Sequence, residues 1–191
     1  ELQSLCHEIR DCIINTVSQN GGHLGANLGA VELTVAIHRA FNSPEDAIIF
    51  DVGHQCYSHK LLTGRFDAFK TLRRENGISG FMKPSESEHD AVITGHSSTS
   101  ISSAYGIYNA KKLCGSQGTA VAVIGDGALT GGMAYEGLND AAVSREPMII
   151  ILNDNEMSIA ENHGGLYENL RQLRETEGKA ERVPSGRPAR P

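Results

Sequence analysis

Three short apolar runs, AIIFD at 47–51, TAVAVIG at 119–125 and PMIIILN at 147–153, most constrain this chain. They are rich in Ile and Val, too short for helices, and bounded by Gly, Pro, Asn or Asp, as buried strands are. Between them lie segments with helical spacing. Strands alternating with helices give a parallel sheet flanked by helices, an α/β fold. Ligands of such sheets bind beyond the carboxyl ends of the strands. Each run here is followed by a polar loop: DVGH, GDGA and NDN.

The flanking segments fit this frame. Leu2, Leu5, Cys6, Ile9, Ile13 and Val17 recur at helical spacing over residues 1–18. NGGHLGANLG at 20–29 reads as a glycine-rich loop, and 30–41 as a helix stopped by Asn42, Ser43 and Pro44. Residues 54–72 read as helix in two pieces around Thr63 and Gly64. Residues 97–113 and 130–142 read as further helices. Residues 73–95 have no clear period, and a loop of that length in a compact domain is usually functional or disordered. One domain is expected over 1–180. The tail 181–191, with Arg, Pro and no acid in RVPSGRPARP, is expected to be disordered.

Composition removes whole classes of function. Hydrophobic residues at 39% and charged residues at 21% suit an ordinary globular domain. A net charge of −6 with no basic stripe argues against nucleic-acid binding. No apolar run nears the roughly 20 residues of a membrane helix, and no secretory leader is visible. Cys6, Cys12, Cys56 and Cys114 form no CxxC pair, which fits free thiols in a reducing, cytoplasmic setting.

The loops carry the chemistry. Gly125-Asp126-Gly127-Ala128 joins a strand to a helix, where backbone amides bind phosphate. A dinucleotide G-x-G-x-x-G fails, because Thr130 stands at the third position. Asp126 beside a diphosphate repels it unless a cation intervenes. Mg²⁺ accepts hard oxygen ligands, and Asn153-Asp154-Asn155 with a carbonyl near Met157 supplies more of them. The alternative is that Asp126 caps a helix and the asparagines only form a turn. His23, His54 and His96 each follow a glycine, in GGHLG, DVGHQ and TGHSS. Hydrogen bonding to an anionic ligand and proton transfer suit them better than zinc. His7, His38, His59, His89 and His163 read as surface or packing residues. Glu32, Glu136 and Glu156 read as solvated or capping carboxylates.

GDG followed by NDN resembles the diphosphate and Mg²⁺ signature of thiamine-diphosphate enzymes. GGHLGANLGAVELTVAIHRAF, FDVGHQCYSHKLLTGR, GISGFMKPSESEHD, TGHSSTSIS, GDGALTGGMAYEGLN and ILNDNEMSIAEN resemble the 1-deoxy-D-xylulose-5-phosphate synthase family over about residues 3–180. Transketolase shares the layout without the wording of these loops. The resemblance implies a thiamine-diphosphate-binding fold, with Mg²⁺ on Asp126, Asn155 and the carbonyl of Met157. It places the diphosphate on Gly127 and Ala128, and cofactor contacts at Gly95, His96, Ser97, His54 and Asn155. His23 and His54 are the implied catalytic histidines, with His23 near the substrate. The implied transferase reaction joins pyruvate to D-glyceraldehyde 3-phosphate with loss of CO₂, for isoprenoid, thiamine and pyridoxal synthesis, in a homodimer. The family's chains are longer. A second domain grips the cofactor's aminopyrimidine ring and supplies the activating glutamate, and nothing here matches it. The expectation is therefore a chain inactive alone, unless another polypeptide supplies that domain. The alternatives are one subunit of a split transketolase and a non-catalytic cofactor-binding remnant.

Overall fold

The computed structural model describes residues 1–144, 146–154 and 164–177. Asn155, Met157, Glu156, His163 and the tail from 178 lie outside them, as does the expected boundary at 181. The chain divides into two units, 1–157 and 158–191.

In the first unit, β1 (Ala47–Phe50), β2 (Ala120–Gly125) and β3 (Ile149–Asn153) form a parallel sheet in that order. Ala47 pairs with Ala120 and Phe50 with Val123; Val121 pairs with Ile149 and Gly125 with Asn153. β1 is buried throughout and β2 nearly so, which is why both read as unbroken apolar runs. β3 is an edge strand and stays partly exposed.

Helices cover the sheet. α1 (Leu2–Asn20) buries Cys6, Ile9, Ile13 and Val17, and α3 (Val31–Ala40) buries Val31, Val35 and Ile37. Both stripes join one core with Ile48, Phe50, Val121 and Val123. Each fully buried aliphatic or Phe side chain contributes about 1.5–3 kcal/mol. α5 (Ser100–Leu113) packs on β1 and β2, and α7 (Gly132–Ser144) packs on α5. Gly137 of α7 lets the two helices close up: a Cβ there would lie 2.8 Å from Ser102 Oγ.

Three segments differ from expectation. The glycine-rich loop contains a short helix, α2 (Leu24–Leu28), folded around the buried Asn27. The segment after β2 turns at once into a one-turn helix, α6 (Asp126–Leu129), before α7 begins. Residues 73–95 are held by buried ion pairs to α4 (Tyr57–Leu62) and the residues just after it. Asp90 accepts from Arg65 at 2.7 and 2.8 Å, pairs with His59 at 3.1 Å, and accepts the Lys83 amide at 2.7 Å. Lys60 donates to Glu86 at 2.7 Å. Buried charges anchor the segment together with Met82, which reaches the core, and Ile78, which packs against it, so no regular apolar period marks it. The buried His59 extends the same polar chain to the partly buried His38, 2.9 Å away. The second unit contains α8 (Gly165–Glu177), where Arg171 Nε donates to Glu168 at 3.0 Å.

Candidate functional site

The parallel register brings the carboxyl ends of all three strands to one edge of the sheet. Asp51 follows β1, Asp126 follows β2 and Asp154 follows β3. Because Gly125 pairs with Asn153, Asp126 and Asp154 leave neighbouring strands side by side. Asp126 is buried and is the first residue of α6; the N-cap is Gly125. Asn155 and Met157, the other expected Mg²⁺ ligands, lie outside the described residues. Among the described residues, no three His, Cys, Asp or Glu side chains cluster in a way that suits a metal.

Asp51 organises the second part of the edge. Its buried carboxylate accepts the Ser98 amide at 2.7 Å and the Ser100 amide at 2.9 Å, fixing the start of α5. Ser98 Oγ donates to the carbonyl of Ala128 at 2.7 Å. The 95–98 strap is thereby tied to the GDGA turn. Gly95, His96 and Ser97 lie on the exposed side of this strap. Val52 and Ser98 take left-handed φ of 59° and 69°. A β-branched residue there is a genuine outlier, of the kind that gathers at functional sites.

His23 and His54 meet across two loops. Their ring centroids are 5.4 Å apart, edge to face, and Phe81 lies 5.9 Å from His23. Nδ1 of each ring is buried without a hydrogen-bond partner. Burial first, then the charge of Arg73, pushes His23 below the ordinary histidine range. Burial also lowers His54; His23 adds to the effect and Asp51 opposes it. Both rings are neutral near pH 7 and able to accept a proton.

The sequence alone did not single out Asn27 or Asp51. Asn27 bonds both histidine loops, donating to the carbonyls of His23 at 2.6 Å and His54 at 2.7 Å. An Asn within a Gly-rich loop reads as a turn former, so its burial gave no signal. Asp51 did carry one: an acid directly after a buried strand must find donors.

The whole matched length decides the family. Residues 1–184 match the family model for 1-deoxy-D-xylulose-5-phosphate synthase. The chain belongs to the 1-deoxy-D-xylulose-5-phosphate synthase family. It is 59% identical over 174 residues to the 1-deoxy-D-xylulose-5-phosphate synthase of Alkaliphilus oremlandii, covering 91% of this chain and 28% of that protein. To the synthase of Thermus thermophilus it is 58% identical over 173 residues, again 91% and 28%. To that of Anaeromyxobacter dehalogenans the identity is 56% over 168 residues, 88% and 26%. The chain thus spans about a quarter of the length of these synthases. No helix among the described residues is long and apolar enough to cross a membrane.

Proposed function

We propose that this chain carries the part of a thiamine-diphosphate-dependent transferase that holds the cofactor's diphosphate and Mg²⁺. The observation that carries the reading is the strand-end edge. There, Asp126, which is buried, and Asp154 follow paired strands, and two imidazoles hold buried Nδ1 atoms that lack protein partners. Buried polar atoms left unpaired are costly, and a polar ligand removes that cost.

In this reading Asp126, Asn155 and the Met157 carbonyl hold Mg²⁺ through hard oxygens. Backbone amides of Gly127 and Ala128 hold the diphosphate, with Asp126 kept from repelling it by the cation. Gly95, His96 and Ser97 line the cofactor from the strap, and His54 from the β1 loop. When bound, thiamine diphosphate supplies an electron sink for decarboxylation. His23, neutral and partly enclosed, accepts or returns a proton on the substrate side.

The whole protein, in this reading, joins pyruvate to D-glyceraldehyde 3-phosphate, giving 1-deoxy-D-xylulose 5-phosphate and CO₂. It acts in the cytoplasm as a homodimer. In this reading these 191 residues alone give no turnover, since they span only about a quarter of the length of the synthases they match.

A chimera tests this. The matched segment replaces its counterpart in the Thermus thermophilus synthase, and product formation is measured. Activity that falls more than roughly 100-fold with Asp126→Ala supports the reading. A folded but inactive chimera, or an active one indifferent to Asp126→Ala, overturns it.

A further inference from the structure

Asn27 is polar, lies within a short helix and is completely buried. Its carboxamide makes three hydrogen bonds, one to the His23 loop and two to the stretch from His54 to Tyr57. Nδ2 donates to the carbonyl of His23 at 2.6 Å and to that of His54 at 2.7 Å, and Oδ1 accepts the Tyr57 amide at 2.9 Å. Both donors of the amide are used, so its orientation is fixed. A buried network satisfied this way specifies a single arrangement.

What it joins matters. His23 enters α2 from one loop, and His54 leaves β1 in another. The two rings meet edge to face, and their Nδ1 atoms are both buried and unpartnered, so no bond between those atoms holds the rings in place. Tyr57 backs the assembly: a Cβ on Gly22 would lie 2.8 Å from Tyr57 Oη, so the His23 loop is seated hard against it. Leu at position 27 would fill similar volume without burying an amide. The amide reaches both histidine backbones at once.

We propose that Asn27 is a positioning residue whose carboxamide sets the distance and angle between the His23 and His54 rings. The two rings then form a preformed face for an anionic ligand. The identity of that ligand rests on the proposed function; the positioning does not. Arg73 acts on His23, and Asp51 on His54, so these charges also face the pair.

The test is ring-nitrogen NMR titration of the histidines in the 191-residue chain. Asn27→Ala and Asn27→Leu remove the bonds without adding charge. Both are expected to move the His23 and His54 midpoints by about half a pH unit or more, weaken the ring-to-ring NOE at least about twofold, and leave exposed His7 unchanged. Thr34→Val is the control: it removes a buried hydrogen bond of 2.7 Å to Ala30 and is expected to leave both titrations in place. Folded Asn27 variants with wild-type titrations overturn the proposal, as does a Thr34→Val protein that shifts them equally. If neither Asn27 variant folds, the wild-type protein decides. Side-chain amide protons of Asn27 that exchange as fast as those of exposed Asn139 overturn it; slow exchange with NOEs to both histidine loops supports it. Thiamine diphosphate added to the same samples separates the two claims. Ring titrations that respond to Asn27 without any cofactor binding preserve the positioning and defeat the cofactor reading.

Discussion

Ser98 donates its hydroxyl to the carbonyl of Ala128 at 2.7 Å, joining the strap before α5 to the turn after β2. The same residue's amide donates to Asp51 at 2.7 Å. One serine thus connects the β1 loop, the strap and the GDGA turn, three of the loops in the proposed site, with Asp51 as the anchor. Asp51→Asn replaces a carboxylate oxygen with an amide that cannot accept. One of the Ser98 and Ser100 amides is left without its partner, at a cost of about 1–3 kcal/mol. Chemical denaturation measures it. A change below about 0.5 kcal/mol would show that the carboxylate does not anchor the strap.

Gly53 is the narrow point between the β1 loop and the strap. Its φ is +82°, and a Cβ would lie 1.9 Å from Thr94 Oγ1. That hydroxyl also accepts the Met82 amide at 3.1 Å. Gly53→Ala therefore strains the backbone and pushes Thr94 off its bond. The expected loss is about 1–3 kcal/mol, with amide-exchange protection reduced around Met82 and Thr94. An alanine variant as stable as the parent would refute the close approach.

The buried charges are expected to be costly to break singly. Asp90→Ala leaves Arg65 buried without its two-pronged partner and removes an acceptor from His59 and the Lys83 amide. Removing one member of a buried pair typically costs about 3–5 kcal/mol. Arg65→Met combined with Asp90→Leu is expected to cost less than Asp90→Ala alone. Equal losses in both proteins would mean that packing, not charge, holds residues 73–95.

Acid is expected to act in two stages. His38 is held at about 4 against an ordinary 6.5, chiefly by burial and then by the neighbouring His59 and His89. The fold favours its neutral form, so the unfolded chain takes up the proton first. Stability is complete above pH 6.5 and falls as pH drops through 6.5 toward about 4. His23, His54 and His59 are lowered as well and act in the same sense. Burial alone would raise Asp90, but bonds from His59, Arg65 and Lys83 outweigh it and hold the carboxyl far below its usual range. Its contribution is present above the ordinary carboxylate value of about 3.9 and is lost only at lower pH. His38→Gln is expected to shallow the first stage and spare the second. Unfolding free energy that stays flat between pH 7 and 5 would contradict this.

Apolar runs made the sheet and its order of loops legible, because strands buried on both faces tolerate little else. Ile48, Phe50, Val121 and Val123 are wholly or nearly wholly buried, as AIIFD and TAVAVIG require. The DVGH and GDG loops were legible through position, at the ends of β1 and β2, whereas the loops of His23 and His96 follow no strand. Asn27 and the Asp90 network were not. Their partners are 25 to 31 residues away in sequence or bond through backbone carbonyls, which leave no period and no motif. The α2 turn was hidden by its own glycines and asparagine, weak helix formers stabilised here by tertiary bonds.

The most direct measurement is calorimetric titration of thiamine diphosphate into the chain, with and without Mg²⁺, repeated with Asp126→Ala. The account predicts binding that requires Mg²⁺ and is weakened at least about 10-fold by the substitution. Binding indifferent to Mg²⁺ or to Asp126→Ala, or no binding under any condition, would contradict the claim that these strand-end loops form the diphosphate and metal site.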